Sequence, residues 1–562
     1  MPSIGLTVFN GIIPRLHPAN LQSGYAEVAN DVRLDHGTIR PWRELRSVSG
    51  IPEGTKTIYQ WGCCWFPFDK CVDIAQWKPS CQRLMVTGWA DYPVTTPVYV
   101  DAEGACRIGN ECCPGWTRLG VCAPSSPPIA VADKEPSYDD KIQDLKVVRY
   151  VYTYVNCFCE ESAPSYPSEE VKTNEGVPIT LTDIEVPPDG WCISKVNIYR
   201  LESAHDTGTS KQVQSHETNY FQVGSIDAGE TTFVDTVLTR NIGEALRTHE
   251  TMPPPENLRG ITAVYGDTLL AGFCNGNQLY FSRHGECWNW PESEMMVLDD
   301  NIISLEADSN GILHVITDGS PYAIIADAGC DDRKCRQVKR HMEALPGVVC
   351  CSGRGSISTP IGTIYVSSYG LVLLAGSNSP VVITQPWFAT DDWRKLKPET
   401  MRLGYYEGSV FCISDNCGFI FTVDDTAFPK WDTLRLSTIS DRPKTMFTNR
   451  QGELFMQFET DIRQWNAGNQ YRPYTWKSRR IESPVYFSAA AGRIECFGAV
   501  EVKLFADGEE VYSGTCMAGE CFRLPAYGRH LTHSVEITGV NEVWRVHLAT
   551  SYSDLRGTMK SA

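Results

Sequence analysis

The sequence predicts an all-β, multi-domain chain: a β-propeller with an inserted immunoglobulin/fibronectin-like β-sandwich and a C-terminal β-sandwich. Three observations predict it. Residues 260–465 repeat one phrase about five times, each a short alternating apolar run, a turn built on Gly, Asp or Asn, and then a second and usually a third run. Period-two alternation bounded by turn residues is the signal of strands. A repeat of about 40–50 residues with three or four strands is the signal of a propeller blade. Residues 146–238 alternate differently, with seven or so short strands, as an immunoglobulin-type sandwich does. Helical periodicity is almost absent outside short stretches near 391–402. A blade cannot bury both of its faces alone, so stacked blades commit the chain to a closed ring.

In chain order, residues 1–54 form an N-terminal segment of apolar runs broken by Pro and Gly, expected to contact a ring neighbour or partner. Within it, 21–30 reads as a short helix or turn and 32–34 as a strand entering an Asp-His-Gly turn. Residues 55–121 read as one further blade, with runs at 57–61, 72–77, 84–88 and 98–100. The Pro/Ser-rich stretch 122–137 reads as a linker. The inserted sandwich spans 138–245, with 147–155 alternating cleanly and 160–168 a Pro-rich strand edge. A second linker, Met252 to Pro255, leads into the blades of 256–475.

Those blades begin with runs at 261–265, 268–273 and 278–282, and then at 302–306, 312–317 and 321–325. The third reads 347–350, 362–367, 370–374 and 381–384. The fourth reads 409–413, 418–423 and 433–436, and the fifth 445–448, 452–458 and 461–465. From 476 to 562 the pattern changes to that of a smaller β-sandwich.

The bulk properties exclude several classes. The chain has 562 residues, 42% hydrophobic and 21% charged, which suits a soluble globular protein of several domains. No run of about 18 apolar residues exists, so no membrane span is expected. The first residues lack a charged n-region and an apolar h-region, so no signal peptide is expected. The formal charge of −18 argues against a protein that grips nucleic acid, which carries a basic patch. It is compatible with one that lets nucleic acid slide past, and equally with plain solubility.

Cysteine is the unusual residue: there are 22, and no Asn-x-Ser/Thr sequon. The pairs Cys330/Cys335, Cys412/Cys417 and Cys516/Cys521 share one spacing, four residues between partners. For the last two pairs the intervening residues are turn-like. Each pair is therefore a candidate hairpin disulfide, with facing Cα atoms about 4.5–5.5 Å apart. Zinc held by Cys330, Cys335, His341 and Cys350 is the competing reading, though no paired CxxC supports it. The third is that the cysteines are small buried hydrophobes.

Catalytic motifs are missing: no phosphate-binding loop, dinucleotide fingerprint, nucleophile elbow or zinc-protease helix occurs. No catalytic, cofactor or metal residue is assigned and no enzyme is expected. The doublets Asp299/Asp300, Asp391/Asp392 and Asp424/Asp425 would point to opposite faces of a strand, a poor acid–base pair. His284 and His314 read as structural. The aromatic run 281–291 reads as a packed loop, with a sugar- or partner-binding shelf as the alternative.

Several phrases in succession resemble the tail nozzle (tail tubular, hub-type) proteins of short-tailed bacteriophages. They are Phe9-Asn-Gly-Ile-Ile-Pro-Arg15 with residues 29–42; Leu279-Tyr-Phe-Ser282 with Trp290-Pro291 and 298–302; and Tyr474-Thr-Trp-Lys-Ser-Arg-Arg480 with 489–492 and 504–508. The phrases are individually loose, and their order over most of the chain carries the resemblance. The adjacent cysteines at 63/64, 112/113 and 350/351 depart from it. The resemblance implies a virion protein of the tail, assembled in the host cytoplasm. It implies a homo-oligomer, usually a hexameric ring below portal and adaptor proteins, that holds tail fibre or spike proteins. Phage DNA would pass through its lumen without sequence-specific binding, and lumen loops would gate release. A carbohydrate- or receptor-binding propeller on the virion and a polysaccharide hydrolase are the rival expectations.

Overall fold

The computed structural model describes residues 3–34, 36–77, 82–102, 104–110, 113–136, 145–204, 219–264, 268–308, 310–326, 340–345, 347–422 and 435–557. The chain is all-β: the α-helices among these residues are two short ones, Thr390–Lys395 and Tyr552–Gly557. No helix among them is long and apolar enough to cross a membrane. Two compact units form, one from 1–70, 300–325 and 341–562, the other from 71–299 and 326–340.

In the first unit, four antiparallel four-stranded runs follow one another. They begin at Ile302–Ala307, Ser356–Thr359, Arg402–Tyr406 and Thr445–Thr448. These first strands lie side by side in succession, and the hairpin strand Thr57–Trp61 packs on the last of them. The central strands are apolar on both faces. Gly362–Ser367 and Gly370–Leu374 are buried throughout, as strands covered by neighbours on either side must be. Two of the expected repeats shift. The third starts at Ser356–Thr359, not 347–350, and the fourth has an extra first strand, Arg402–Tyr406.

The fifth expected repeat is completed from far away in sequence. Arg46–Gly50 pairs antiparallel with Asp461–Gln464 as a fourth strand. Ala26–Asn30 lies between Arg435–Thr438 and Tyr474–Ser478, so that the 402–438 strands run on into a C-terminal sheet. Ser3–Leu6 pairs with Val543–Ala549 in a second C-terminal sheet. The N-terminal segment, expected as a contact for other molecules, therefore supplies strands to three sheets of its own unit. Residues 21–30, expected as a helix or turn, end in the strand Ala26–Asn30. There Ala26 and Ala29 are buried against the core, the strand pairs with Tyr474–Ser478, and Asn30 also pairs with Thr438.

Side chains lock this arrangement. Phe9 meets Trp476 edge-on at 4.9 Å, and the Trp476 indole N–H donates to the Asn10 carbonyl at 3.0 Å. Trp42 packs against Trp465 at 5.4 Å. At Gly11 the backbone is pressed on another chain segment: Ile12 N–H donates to the Leu436 carbonyl at 2.9 Å. A Cβ there would sit 2.0 Å from that same oxygen.

In the second unit, Asp73–Trp77 opens a sheet running through Arg83–Thr87 and Val94–Val100, and Arg259–Val264 opens another ending at Met296–Val297. The strands expected as one blade over 55–121 thus divide. The hairpin Thr57–Trp61/Cys64–Phe68 belongs to the first unit and the 73–118 strands to the second.

The stretch expected as the insertion holds a four-stranded sheet, centred on Leu145–Asn156 and Ile193–Ala204, and a three-stranded sheet sharing one core. Ile129–Ala132, inside the expected linker, is a strand of the smaller sheet. Tyr150, Tyr152 and Tyr154 alternate onto that core. Their hydroxyls donate to Asp235 (2.7 Å), the Ser126 carbonyl (3.0 Å) and the Glu185 carbonyl (2.9 Å). Arg200 is buried with Asp235 at 2.6 Å. Along the edge of Leu145–Asn156 runs the Pro-rich stretch. The N–H groups of Ser168, Ser165 and Ser162 donate to the carbonyls of Tyr150, Tyr152 and Tyr154 respectively, and their hydroxyls accept from the N–H groups of those tyrosines. Pro164 and Pro167 occupy the positions between, where no N–H is needed.

Two outcomes follow from these contacts. Gly11→Ala lowers the stability of the first unit by about 1–3 kcal/mol, the cost of forcing a methyl group into filled space, read in denaturant unfolding. In the insertion, burial alone would raise the Glu175 carboxyl, but hydrogen bonds from Lys146 and Thr239 hold it down at about 2 against an ordinary 4.5. A depressed carboxylate stabilises the fold above its unfolded value and ceases to as pH falls through the folded one. Glu175→Gln should therefore lower the unfolding midpoint at neutral pH and remove the part of the acid loss lying between pH 4.5 and 2.

Candidate functional site

The residues singled out for chemistry are mostly structural. Asp300 caps a turn, accepting from Ser320 N–H at 3.0 Å. Asp391 and Asp392 lie in the first turn of Thr390–Lys395, not on a strand, and Asp392 pairs with Lys395 at 2.8 Å at the surface. Asp424 and Asp425 lie outside the described residues. His314 is buried between the Thr363 hydroxyl and the Gly376 carbonyl, each 2.8 Å away, and burial lowers its basicity. The aromatic run is core: Trp290 is 1% exposed and its N–H donates to the Cys287 carbonyl at 2.9 Å. A cavity of about 460 Å³ in the first unit, lined by Ser3, Leu6, Tyr25, Arg479 and Glu482 among others, contains one carboxylate and so no carboxylate pair.

The expected disulfides do not form where the structure describes them. Cys412 faces Phe419 across the hairpin, while Cys417 pairs with Ser414 at its mouth. The two-residue turn Asp415-Asn416 sets this register and puts the cysteines out of step. Both are free thiols, and burial pushes Cys412 well above its ordinary value. Cys516 lies on Glu509–Met517, which pairs with Ala499–Ala506, whereas Cys521 begins a strand of the other C-terminal sheet. They too are free thiols. Cys330 and Cys335 lie outside the described residues, as does the side chain of His341. Cys350 is buried beside the Ser352 carbonyl and pushed up to about 11, chiefly by burial.

The cluster that sequence reasoning missed is in the second unit. Cys113, Cys157 and Cys192 bring their sulfur atoms within 4.8 Å of one another. Each is placed by a local backbone device. Asn110 accepts from Cys113 N–H at 2.7 Å, closing the loop after the 73–108 strands. Asn156 accepts from the N–H groups of Phe158 (2.9 Å) and Glu160 (3.0 Å), folding the chain back around Cys157. Cys192 has φ +53° at a register shift before Ile193–Ala204, and its carbonyl accepts from Cys157 N–H at 2.9 Å. Hydrogen bonding from Cys157 holds the Cys113 thiol below its ordinary value against burial, with Cys192 and the charge of Arg83 assisting. The Cys157 thiol is raised by the same hydrogen bond and by burial.

Beside the thiols lies a buried ion pair, Arg83 with Glu160. Arg83 also stacks over Phe158 at 4.0 Å and donates to the Cys287 sulfur at 2.7 Å. Glu160 accepts in turn from the Asn156 amide at 2.8 Å. A spacing of 44 and 35 residues between cysteines gives no motif, so only the fold reveals the cluster.

No family model matches the chain, and no curated protein matches it. Among solved structures it is similar to the WD40 domain of Neurospora crassa Pan2, at 8% identity and TM-score 0.26 over 61% of this chain and 95% of that one. It is similar to the WD40 domain of Toxoplasma gondii coronin, at 11% identity and TM-score 0.25 over 78% and 87%. The extracellular domain of the one-component system BT4673 from B. thetaiotaomicron is matched at 10% identity and TM-score 0.24 over 69% of this chain. This chain spans 46% of that domain's length.

Glu160→Gln removes the carboxylate facing the buried Arg83. It should cost about 3–5 kcal/mol, the penalty of a broken buried pair, read as a fall in the unfolding free energy of the second unit.

Proposed function

We propose that the chain is a structural subunit of the tail nozzle of a short-tailed bacteriophage. In this reading the four-stranded sheets are blades of a β-propeller, the insertion and the C-terminal sheets are its two β-sandwiches, and copies assemble as a ring, six in number. The ring extends the DNA channel, receives portal or adaptor proteins on one side and fibre or spike proteins on the other, and performs no catalysis.

One observation carries the reading. Two of the phrases that resemble nozzle proteins, 9–15 with 29–42 and 474–480, lie where the N-terminal segment joins the sheets it completes. Phe9 and Asn10 contact Trp476, Gly11 presses on Leu436, Asn30 pairs with Thr438 and Trp42 packs on Trp465. A run of sheets whose first strands adjoin, with a last sheet completed by an early strand, supports the propeller layout. Apolar side chains left on the outer face of the insertion's smaller sheet, Ile129, Val131 and Val234, are each about half exposed and offer surface for a neighbour. The charge of −18 suits a lumen that DNA slides through: at a screening length of about 8 Å an acidic wall repels the backbone only at close range.

Particles assembled without this chain should lose their DNA or fail to deliver it. Heads that keep their genome and infect normally would overturn the reading. Light scattering on the purified chain or electron microscopy of tails should give the mass of a sixfold ring, which Val131→Glu with Val234→Lys should shift towards monomer if the outer face is the contact.

A further inference from the structure

We propose that Cys113, Cys157 and Cys192 form a binding site for a thiophilic divalent cation, zinc, that staples the 73–118 strands to the insertion. The geometry is that of a donor set. Around a tetrahedral zinc with thiolates at about 2.3 Å, neighbouring sulfurs lie about 3.8 Å apart. The three sulfurs here all fall within 4.8 Å of one another. None of the three is disulfide-bonded, and a disulfide between any two would leave the third in the same pocket.

The three residues come from separate pieces of chain. One follows the 73–108 strands, one follows Leu145–Asn156 and one precedes Ile193–Ala204. Each is held by its own turn, and Cys157 and Cys192 are joined through the backbone. A turn with a non-glycine residue at positive φ is a strained position, and Cys192 holds one where its side chain joins the cluster. Packing alone does not call for this: Cys113 is buried, but Cys157 and Cys192 are only half-buried and would fill an apolar core poorly.

Binding forms three Zn–S bonds as each thiol gives its proton to solvent, with no change in oxidation state. The complex then carries one net negative charge, and a water or a further donor completes the tetrahedron. Arg83, paired with Glu160, stacks over Phe158, the residue that follows Cys157.

The test uses the full chain, purified under reducing conditions without chelator and analysed for metal by mass spectrometry. About one equivalent of zinc is expected, bound or taken up from added zinc. The variants C113S, C157S and C192S should each lose most of it, and C350S none. In case the serine variants fold poorly, cobalt added to the unaltered, metal-stripped chain should give a thiolate-to-cobalt charge-transfer band with the intense visible bands of tetrahedral coordination. Absence of metal uptake, an octahedral cobalt spectrum, zinc retained by all three variants, or a disulfide between two of the three in peptide maps of the reduced preparation would each overturn the proposal.

Discussion

The first unit depends on one constraint: its open sheet edges are closed by the first fifty residues. A strand edge presents a row of unpaired N–H and C=O groups that must find partners. Asp461–Gln464 finds Arg46–Gly50, Tyr474–Ser478 finds Ala26–Asn30, and Val543–Ala549 finds Ser3–Leu6. Every one of these pairings joins ends of the chain separated by more than 400 residues. They are reinforced by Asp31, which accepts from Ser440 N–H at 3.1 Å and pairs with Arg472 at 3.4 Å. The unit therefore cannot finish folding until its C-terminal strands exist, and pairings of such long range are the slow step of β-rich folding.

In the second unit, polar groups inside the core do the specifying. Alternating tyrosines would pack in either of two registers if only their rings counted. Their hydroxyls each require an acceptor, and Asp235, Ser126 and Glu185 supply it in one register only. The Arg200–Asp235 and Arg83–Glu160 pairs extend the same logic, because a buried charge displaced from its partner is costly.

The described site residues tell a consistent story about chemistry. Asp300 accepts from a turn N–H, Asp392 pairs with a surface lysine, and His314 is fixed by two hydrogen bonds and made less basic by burial. What remains unusual is sulfur, gathered where three turns converge.

The sequence by itself determined the all-β class and the positions of most central strands. The reason is that period-two burial and turn chemistry act over a few residues, as in 147–155 and 362–374. It also marked His314 as structural, and two hydrogen bonds hold that ring. The tertiary structure alone decided which strands complete which sheet. Arg46–Gly50 has exposed or half-exposed residues throughout and no alternation to advertise it, so its place is set by a distant edge. It alone decided the cysteines too. Spacing suggested hairpin pairs, but the Asp415-Asn416 turn sets Cys412 and Cys417 out of register, and Cys516 and Cys521 enter different sheets. Cys113, Cys157 and Cys192 meet although they are far apart in the chain, because sulfur proximity is fixed by where loops converge and not by how many residues lie between them.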